Sequence, residues 1–391
     1  MTATLDRGFL PDEVIAACGE RAAGYDRDNR FFTEDWQAIK DSGFLRLNIP
    51  KELGGLGMSV YEVSQELKRL AYRAPATALA VNMHLYWTGI AAGLWQTGDK
   101  SLEWMLREGA AGEVFAAGHA ESGNDLPGLL STTKAERVDG GYRFTGHKMF
   151  GSLSPVWTRY GLHGMDTSDP NNPKVIHGFL PRSATNYQIK ETWDTLGMRS
   201  TRSDDTILDG AFVPDQYISR ILPAGAVDQF ILTLFAVALT GIASIYYAIA
   251  LRARDLAVEG VKRRTSLAVT RSMAYHPEMQ HSAAQMSLLI QAMGPQLDSV
   301  ARDWSNGVDH GMEWPALIVG MKYNVVESAK KVVDIAMDMS GGAGMFKTNE
   351  LERLYRDVRA GGFHPANSNL THEIVGKTTL GIGLDEQPRW G

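Results

Sequence analysis

The pattern of apolar and polar positions divides the chain into three textures. Up to about residue 112, apolar residues recur three and four positions apart, the spacing of helices with one buried face. Asp12 and Thr33 stand where N-caps are expected, and Glu34 and Asp35 place acids in a first turn. Ser59 opens a further helix, and Pro75 suits the first turn of an alanine-rich helix running to Leu94. From Gly112 alternation and turns take over. The runs 132–138 and 142–146 flank Asp139-Gly140-Gly141, a hairpin signal. More strands are expected at 174–180, 187–190 and 206–213, separated by Pro170, Pro173, Pro181 and Pro214. Helical periodicity returns at about 228–260, 277–304, 313–339 and 348–360. Helices, then strands, then helices predict an α+β fold in three parts, 1–112, 113–222 and 223–391. The missing strand–helix alternation argues against a doubly wound nucleotide-binding fold.

Composition narrows this a little. A formal charge of −6 over 391 residues does not fit a nucleic-acid binder. Cys18 is the single cysteine, which excludes an intrachain disulfide and a paired-cysteine metal knuckle and suits a reducing cytoplasm. The first residues show no secretion pattern, so a cytoplasmic protein is expected. The run from Phe230 to Ala250 has no charged residue and is long enough to cross a bilayer. Thr233, Thr240, Gly241, Ser244, Tyr246 and Tyr247 dilute it, and it continues into Arg252, so it reads as a buried bundle helix and not a span. His84 has no second ligand at i+3 or i+4 and reads as a packed histidine.

Several short stretches carry candidate chemistry. Ser340-Gly341-Gly342-Ala343-Gly344 ends one helical pattern and precedes another, Glu350 to Asp357, and then His364-Pro365-Ala366-Asn367. Glycines there let backbone N–H groups approach a phosphate. Upstream lie Pro50 to Ser59 with its glycine loop, Gly118-His119-Ala120-Glu121-Ser122-Gly123-Asn124-Asp125, Gly146-His147-Lys148-Met149-Phe150-Gly151-Ser152, and Leu196-Gly197-Met198-Arg199-Ser200-Thr201 followed by Ala211-Phe212-Val213-Pro214. In this order and spacing they resemble the acyl-CoA dehydrogenase family over nearly the whole chain.

The resemblance implies a helical N-terminal domain, a middle β-barrel or sandwich domain and a C-terminal four-helix bundle. It implies FAD, with FMN second, held between the β domain and the bundles of two subunits, hence a homodimer or homotetramer. It places His119, Ala120 and Glu121 in the loop that lines the flavin, with Ala120 where the family has a threonine and Ser122 where it has a proline. Phe150 takes the place of a tryptophan that packs on the flavin, and Ser152 that of a hydroxyl bonded to flavin N5. Arg263 or Arg264, after the long apolar helix, and Gly341, Gly342 and Gly344 would hold the cofactor's diphosphate.

One departure bears on the reaction. The family's catalytic glutamate follows the late Arg-Asp pair by nine residues from the arginine. Counting from Arg356 reaches Pro365, and 230–251, where some members carry the glutamate, has no carboxylate. His364 is the adjacent candidate base, ahead of Glu373. The first expectation is α,β-dehydrogenation of an acyl thioester, with hydride passing to flavin N5 and on to an electron-transfer partner. The alternative is a monooxygenase on the same scaffold, fed with reduced flavin by a separate reductase and hydroxylating nitrogen, sulfur or an aromatic ring. Some such relatives carry a histidine just after a similar Arg-Asp-x-x-Ala-Gly stretch. A third reading is a flavin-binding subunit that has lost catalysis.

Overall fold

The first helices start where their sequence asks them to. In the computed structural model, which describes residues 8–267, 269–384 and 386, they are α1 (Asp12–Asp28), α2 (Thr33–Ser42), α3 (Val60–Ala71), α4 (Pro75–Gln96) and α5 (Glu103–Ala110). Ser59 caps α3 in a reciprocal box with Glu62. Asp12 and Thr33 are not the caps expected of them. Each lies one residue inside its helix, after Pro11 and Phe32, where neighbouring acids complement the positive helix end. Helix α4 is apolar nearly all round because it packs against α3, α5, the first strand and the long helix of the C-terminal part.

The strands are β1 (Phe115–Gly118), β2 (Lys134–Val138), β3 (Gly141–Gly151), β4 (Arg159–Asp166), β5 (Lys174–Pro181), β6 (Tyr187–Lys190), β7 (Asp204–Pro214) and β8 (Ile218–Pro223). They form one sheet in the order β6-β7-β3-β2-β4-β5-β8, with β1 added parallel to β4. The expected hairpin is β2–β3, turning at Gly140 with φ +75. Strands β1 and β4 gave no alternating signal because they are buried along most of their length, so apolar and small residues run on without a polar partner position.

The C-terminal helices are α6 (Gln229–Arg263), α7 (Pro277–Ser305), α8 (Trp314–Ser340), α9 (Glu350–Arg359) and α10 (Ser368–Leu380). Helix α6 packs against α8, α4, α3 and α7. It is the one helix among the described residues long and apolar enough to cross a membrane, and 83% of its most apolar stretch is buried inside the fold.

Three histidines sit in this core as neutral groups. His84 Nδ1 accepts the N–H of Phe115 at 3.1 Å, so its proton is on Nε2, which donates to Leu45 O at 2.9 Å. It joins α4, the turn before α3 and β1, and is packed as expected. His163 and His177 face each other across β4 and β5 with stacked rings 5.7 Å apart. Burial presses His84 and His177 down to about 4 and His163 well below its ordinary value, with the nearby Lys148 charge adding to the last two. These folded-state values lie below the unfolded one, so the stability they support is present above about pH 6.5 and lost as pH falls towards 4. His84 and His177 each withdraw about 1.5 kcal/mol between pH 6.5 and 5, and His163 acts in the same direction. Urea unfolding at a series of pH values should show the loss, and His84→Asn should make the curve shallower in that window.

Candidate functional site

A cavity of about 610 Å³ opens between the sheet and the helical parts. Its walls come from α4 (Met83, Tyr86), the end of β1 with His119 and Ala120, the end of β3 with Phe150 and Ser152, the 193–203 segment, α6, and the residues from the end of α9 to Pro365. Phe150, Leu196 and Phe363 are exposed at its rim. Phe150 stands edge-on to Trp193 with ring centres 5.9 Å apart. Among the described lining residues there is no aspartate or glutamate; Arg356 and Arg359 carry the charge.

The sequence candidates divide into those that meet here and those that do not. His119, Ala120, Phe150, Ser152 and His364 all line the cavity. Glu121 faces away from it. Its carboxylate is fully buried, 2.6 Å from Lys148 Nζ, and accepts hydrogen bonds from Asn124, Ser131 and the N–H groups of Thr132 and Thr133. Burial alone would raise its pKa, but Lys148 and these donors reverse that and hold it down at about 2. The pair is ionised and fixes the loop behind Ala120, so Glu121 shapes the wall without touching the cavity. Arg263 is exposed at the end of α6, and Arg264 donates to the carbonyls of Met339 and Ser340 at 2.7 and 2.8 Å, closing the C-terminus of α8. Gly341 takes φ 62 and ψ −160, which a side chain would oppose, and starts the turn that holds Gly342 and Gly344. This glycine turn lies outside the cavity of its own chain.

Ser152 continues into a line of hydroxyls. Its Oγ lies 2.7 Å from Ser203 Oγ, which lies 2.7 Å from Thr201 Oγ1, which donates to Met198 O at 2.8 Å. Met198 itself sits at φ 53, and its N–H donates to the buried Asp357 carboxylate at 2.6 Å. Arg356 forks onto Asp26 of α1 and Glu352 and also donates to Leu196 O. The Arg-Asp pair of α9 is thus a fastener between three parts of the chain.

His364 is set from two sides. Its Nε2 lies 2.9 Å from the hydroxyl of the buried Tyr246 on α6. Lys322 of α8, also buried, donates to the carbonyls of His364 and Ala366, both at 2.9 Å. Burial lowers the His364 pKa to about 3, and the Lys322 charge pushes the same way. Sequence reading missed Tyr246, Lys322, Thr201 and Ser203. Lys322 had a signal: it is the lone charge in the apolar stripe from Trp314 to Val326. Ser203 had none, because it lies outside every stretch singled out.

These residues fit a flavin. The cavity is in the range of about 300–1,000 Å³ typical of ligand pockets. Its lining is mainly apolar with aromatic rings at the rim, and Ser152 and the partnerless, buried Nε2 of His119 supply polar contacts for a heterocycle.

Comparison with known proteins agrees. The family model for the acyl-CoA dehydrogenase N-terminal domain matches residues 7–102, and that for the acyl-CoA dehydrogenase C-terminal domain matches 229–379. The chain belongs to the acyl-CoA dehydrogenase family, and it is a flavin-dependent oxidoreductase. It is 29% identical to L-evernosamine nitrososynthase of Micromonospora sp. over 90% of this chain and 84% of that one. It is 29% identical to amino sugar nitrososynthase DnmZ of Streptomyces peucetius over 95% and 92%. A Bacillus subtilis protein, YdbM, whose name assigns it to the acyl-CoA dehydrogenases, is equally similar, 29% over 88% and 89%. Among solved structures, the nitrososynthase of Micromonospora carbonacea var. africana superposes with a TM-score of 0.84 at 26% identity, covering 98% of this chain and 100% of that one.

Lys322→Met should raise the pKa of His364, because the folded value of about 3 is depressed in part by the lysine charge. An upward shift of roughly one unit is expected. Titration of labelled histidine by NMR, with His364→Gln to assign the signal, checks it.

Proposed function

We propose that this enzyme is an oxygenase that uses reduced flavin and O2 to oxidise the amine nitrogen of an anionic, nucleotide-linked substrate. One observation carries the reading. Where a dehydrogenase needs a base for the α-proton, the described cavity lining has no carboxylate, and the imidazole beside the vacated position is held at about 3. A base that weak is poorly matched to a carbon acid near neutral pH. This reverses the order of the sequence expectations, which put dehydrogenation first. The two nitrososynthase relatives point the same way.

Bound reduced flavin, FMN or FAD, supplies the two electrons and the site at which O2 is activated. The chain's own residues do the rest. Phe150, Met149 and the α6 side chains around Leu239 keep water out. Ser152, on the cavity lining, would contact a bound flavin through its hydroxyl. Neutral His364, steered by Tyr246, accepts a hydrogen bond from the substrate nitrogen as that nitrogen gains oxygen and turns acidic, which asks far less basicity than a carbon acid does. One oxygen atom goes to nitrogen, and the other leaves as water.

Arg359 supports the anionic part of the reading. Arg356 is already held by two carboxylates, whereas Arg359, exposed at the cavity rim, has no partner among the described residues. A guanidinium fork suits a phosphoryl group.

The test supplies reduced flavin through a flavin reductase and offers O2 with either nucleotide-linked amino sugars or acyl-CoA thioesters. Hydroxylamine or nitroso product by mass spectrometry is expected from the first. Anaerobic bleaching of oxidised flavin by any thioester would overturn the reading. His364→Ala is expected to keep flavin bound and lower turnover at least about 100-fold, within the range for a proton-handling residue. Arg359→Gln should raise KM about tenfold, as for a lost charge-assisted hydrogen bond, with kcat little changed; steady-state kinetics separate the two.

A further inference from the structure

The hydroxyl line at Ser152 has a direction. A carbonyl oxygen only accepts, so Thr201 Oγ1 donates to Met198 O at 2.8 Å. A hydroxyl has one proton. With Thr201's used there, the 2.7 Å contact to Ser203 must run from Ser203 to Thr201. With Ser203's used in turn, the 2.7 Å contact to Ser152 must run from Ser152 to Ser203. Ser152 therefore presents lone pairs to the cavity and no proton. Its backbone N–H is also turned away, donating to Phe150 O at 3.0 Å. The far end of the line is anchored, since the Met198 peptide is held through its N–H by Asp357 and its carbonyl also accepts the Trp193 indole N–H at 3.2 Å.

We propose that Thr201 and Ser203 are positioning residues which, by ordering these protons, make Ser152 an acceptor that selects reduced over oxidised flavin. N5 of the reduced ring carries hydrogen and donates. N5 of the oxidised ring can only accept, and would meet Ser152 lone pair to lone pair. The same serine in a line of opposite direction would favour the oxidised ring. The inference rests on the flavin reading of the cavity given above, and not on which substrate is oxidised.

Binding measures it without turnover. Under anaerobic conditions, wild type, Ser203→Ala and Thr201→Val are titrated with FMN and with FAD, each in the oxidised and the dithionite-reduced form, by calorimetry. Wild type should bind the reduced form more tightly. Ser203→Ala releases the Ser152 proton to turn into the cavity, and Thr201→Val releases it one step removed. In both, the preference for reduced flavin should fall about fivefold, the effect of one ordinary hydrogen bond on an equilibrium. Ser152→Ala should lose the preference, by weaker binding of the reduced form and relief of the clash with the oxidised one. A wild type that favours oxidised flavin, or an unchanged ratio in both line variants, would overturn the proposal. Failure of the oxygenase reading shows differently: the affinity ratio would shift as stated while no amine is oxidised.

Discussion

The two walls of the cavity are held in register by one buried contact, the Asp357 carboxylate on the N–H of Met198 at 2.6 Å. Helix α9 contributes Asp357, and the chain leaving α9 carries His364. Met198 begins the 198–203 segment that carries the hydroxyl line to Ser152. The approach is close enough that a Cβ at Gly197 would lie 2.5 Å from the Arg356 carbonyl, so glycine is required there. Arg356 adds the third body by gripping Asp26 of α1. A charge-assisted bond in a dry setting is strong and geometrically strict. Burial lifts Asp357 to about 6, with Arg353 opposing the lift, so the contact is made at some electrostatic cost. The Arg-Asp motif is therefore architectural. It sets where Met198 and the chain leading to His364 stand.

Around His364 the fold lowers basicity and fixes position at once. Tyr246 takes one ring nitrogen, Lys322 takes two backbone carbonyls, and the same Lys322 charge disfavours an imidazolium. A buried lysine bonded to carbonyls alone is itself depressed, to about 8, mainly by desolvation. No arrangement of this kind would raise the strength of a general base. It suits a histidine that orients and accepts a hydrogen bond while remaining neutral.

The three-part order, the long helices and the β2–β3 hairpin were legible in the sequence because each depends on local periodicity or turn chemistry. So were five cavity residues, His119, Ala120, Phe150, Ser152 and His364, because their spacing within motifs survives. What was not legible depends on contacts between distant segments. Glu121 sits in a flavin-loop motif, yet its side chain points into the β domain because Lys148, 27 residues away, holds it there. Arg264 looked available for a phosphate but closes a helix end 75 residues on. Strands β1 and β4 were silent because burial on both faces erases alternation.

The proton order at Ser152 shows most clearly where motif reading stops. The motif supplies a hydroxyl, and a hydroxyl can donate or accept. Which it does is decided two residues along the line, by a carbonyl held in place from α9. A dehydrogenase meets substrate with an oxidised flavin, whose N5 needs a donor, and with a carboxylate base opposite. Here the hydroxyl side offers an acceptor and the base side offers a weak imidazole. The two features lie on different walls of the cavity and disfavour the same half-reaction. An acceptor at Ser152 and a weak imidazole at His364 together support the proposed oxygenase reading more strongly than either does alone.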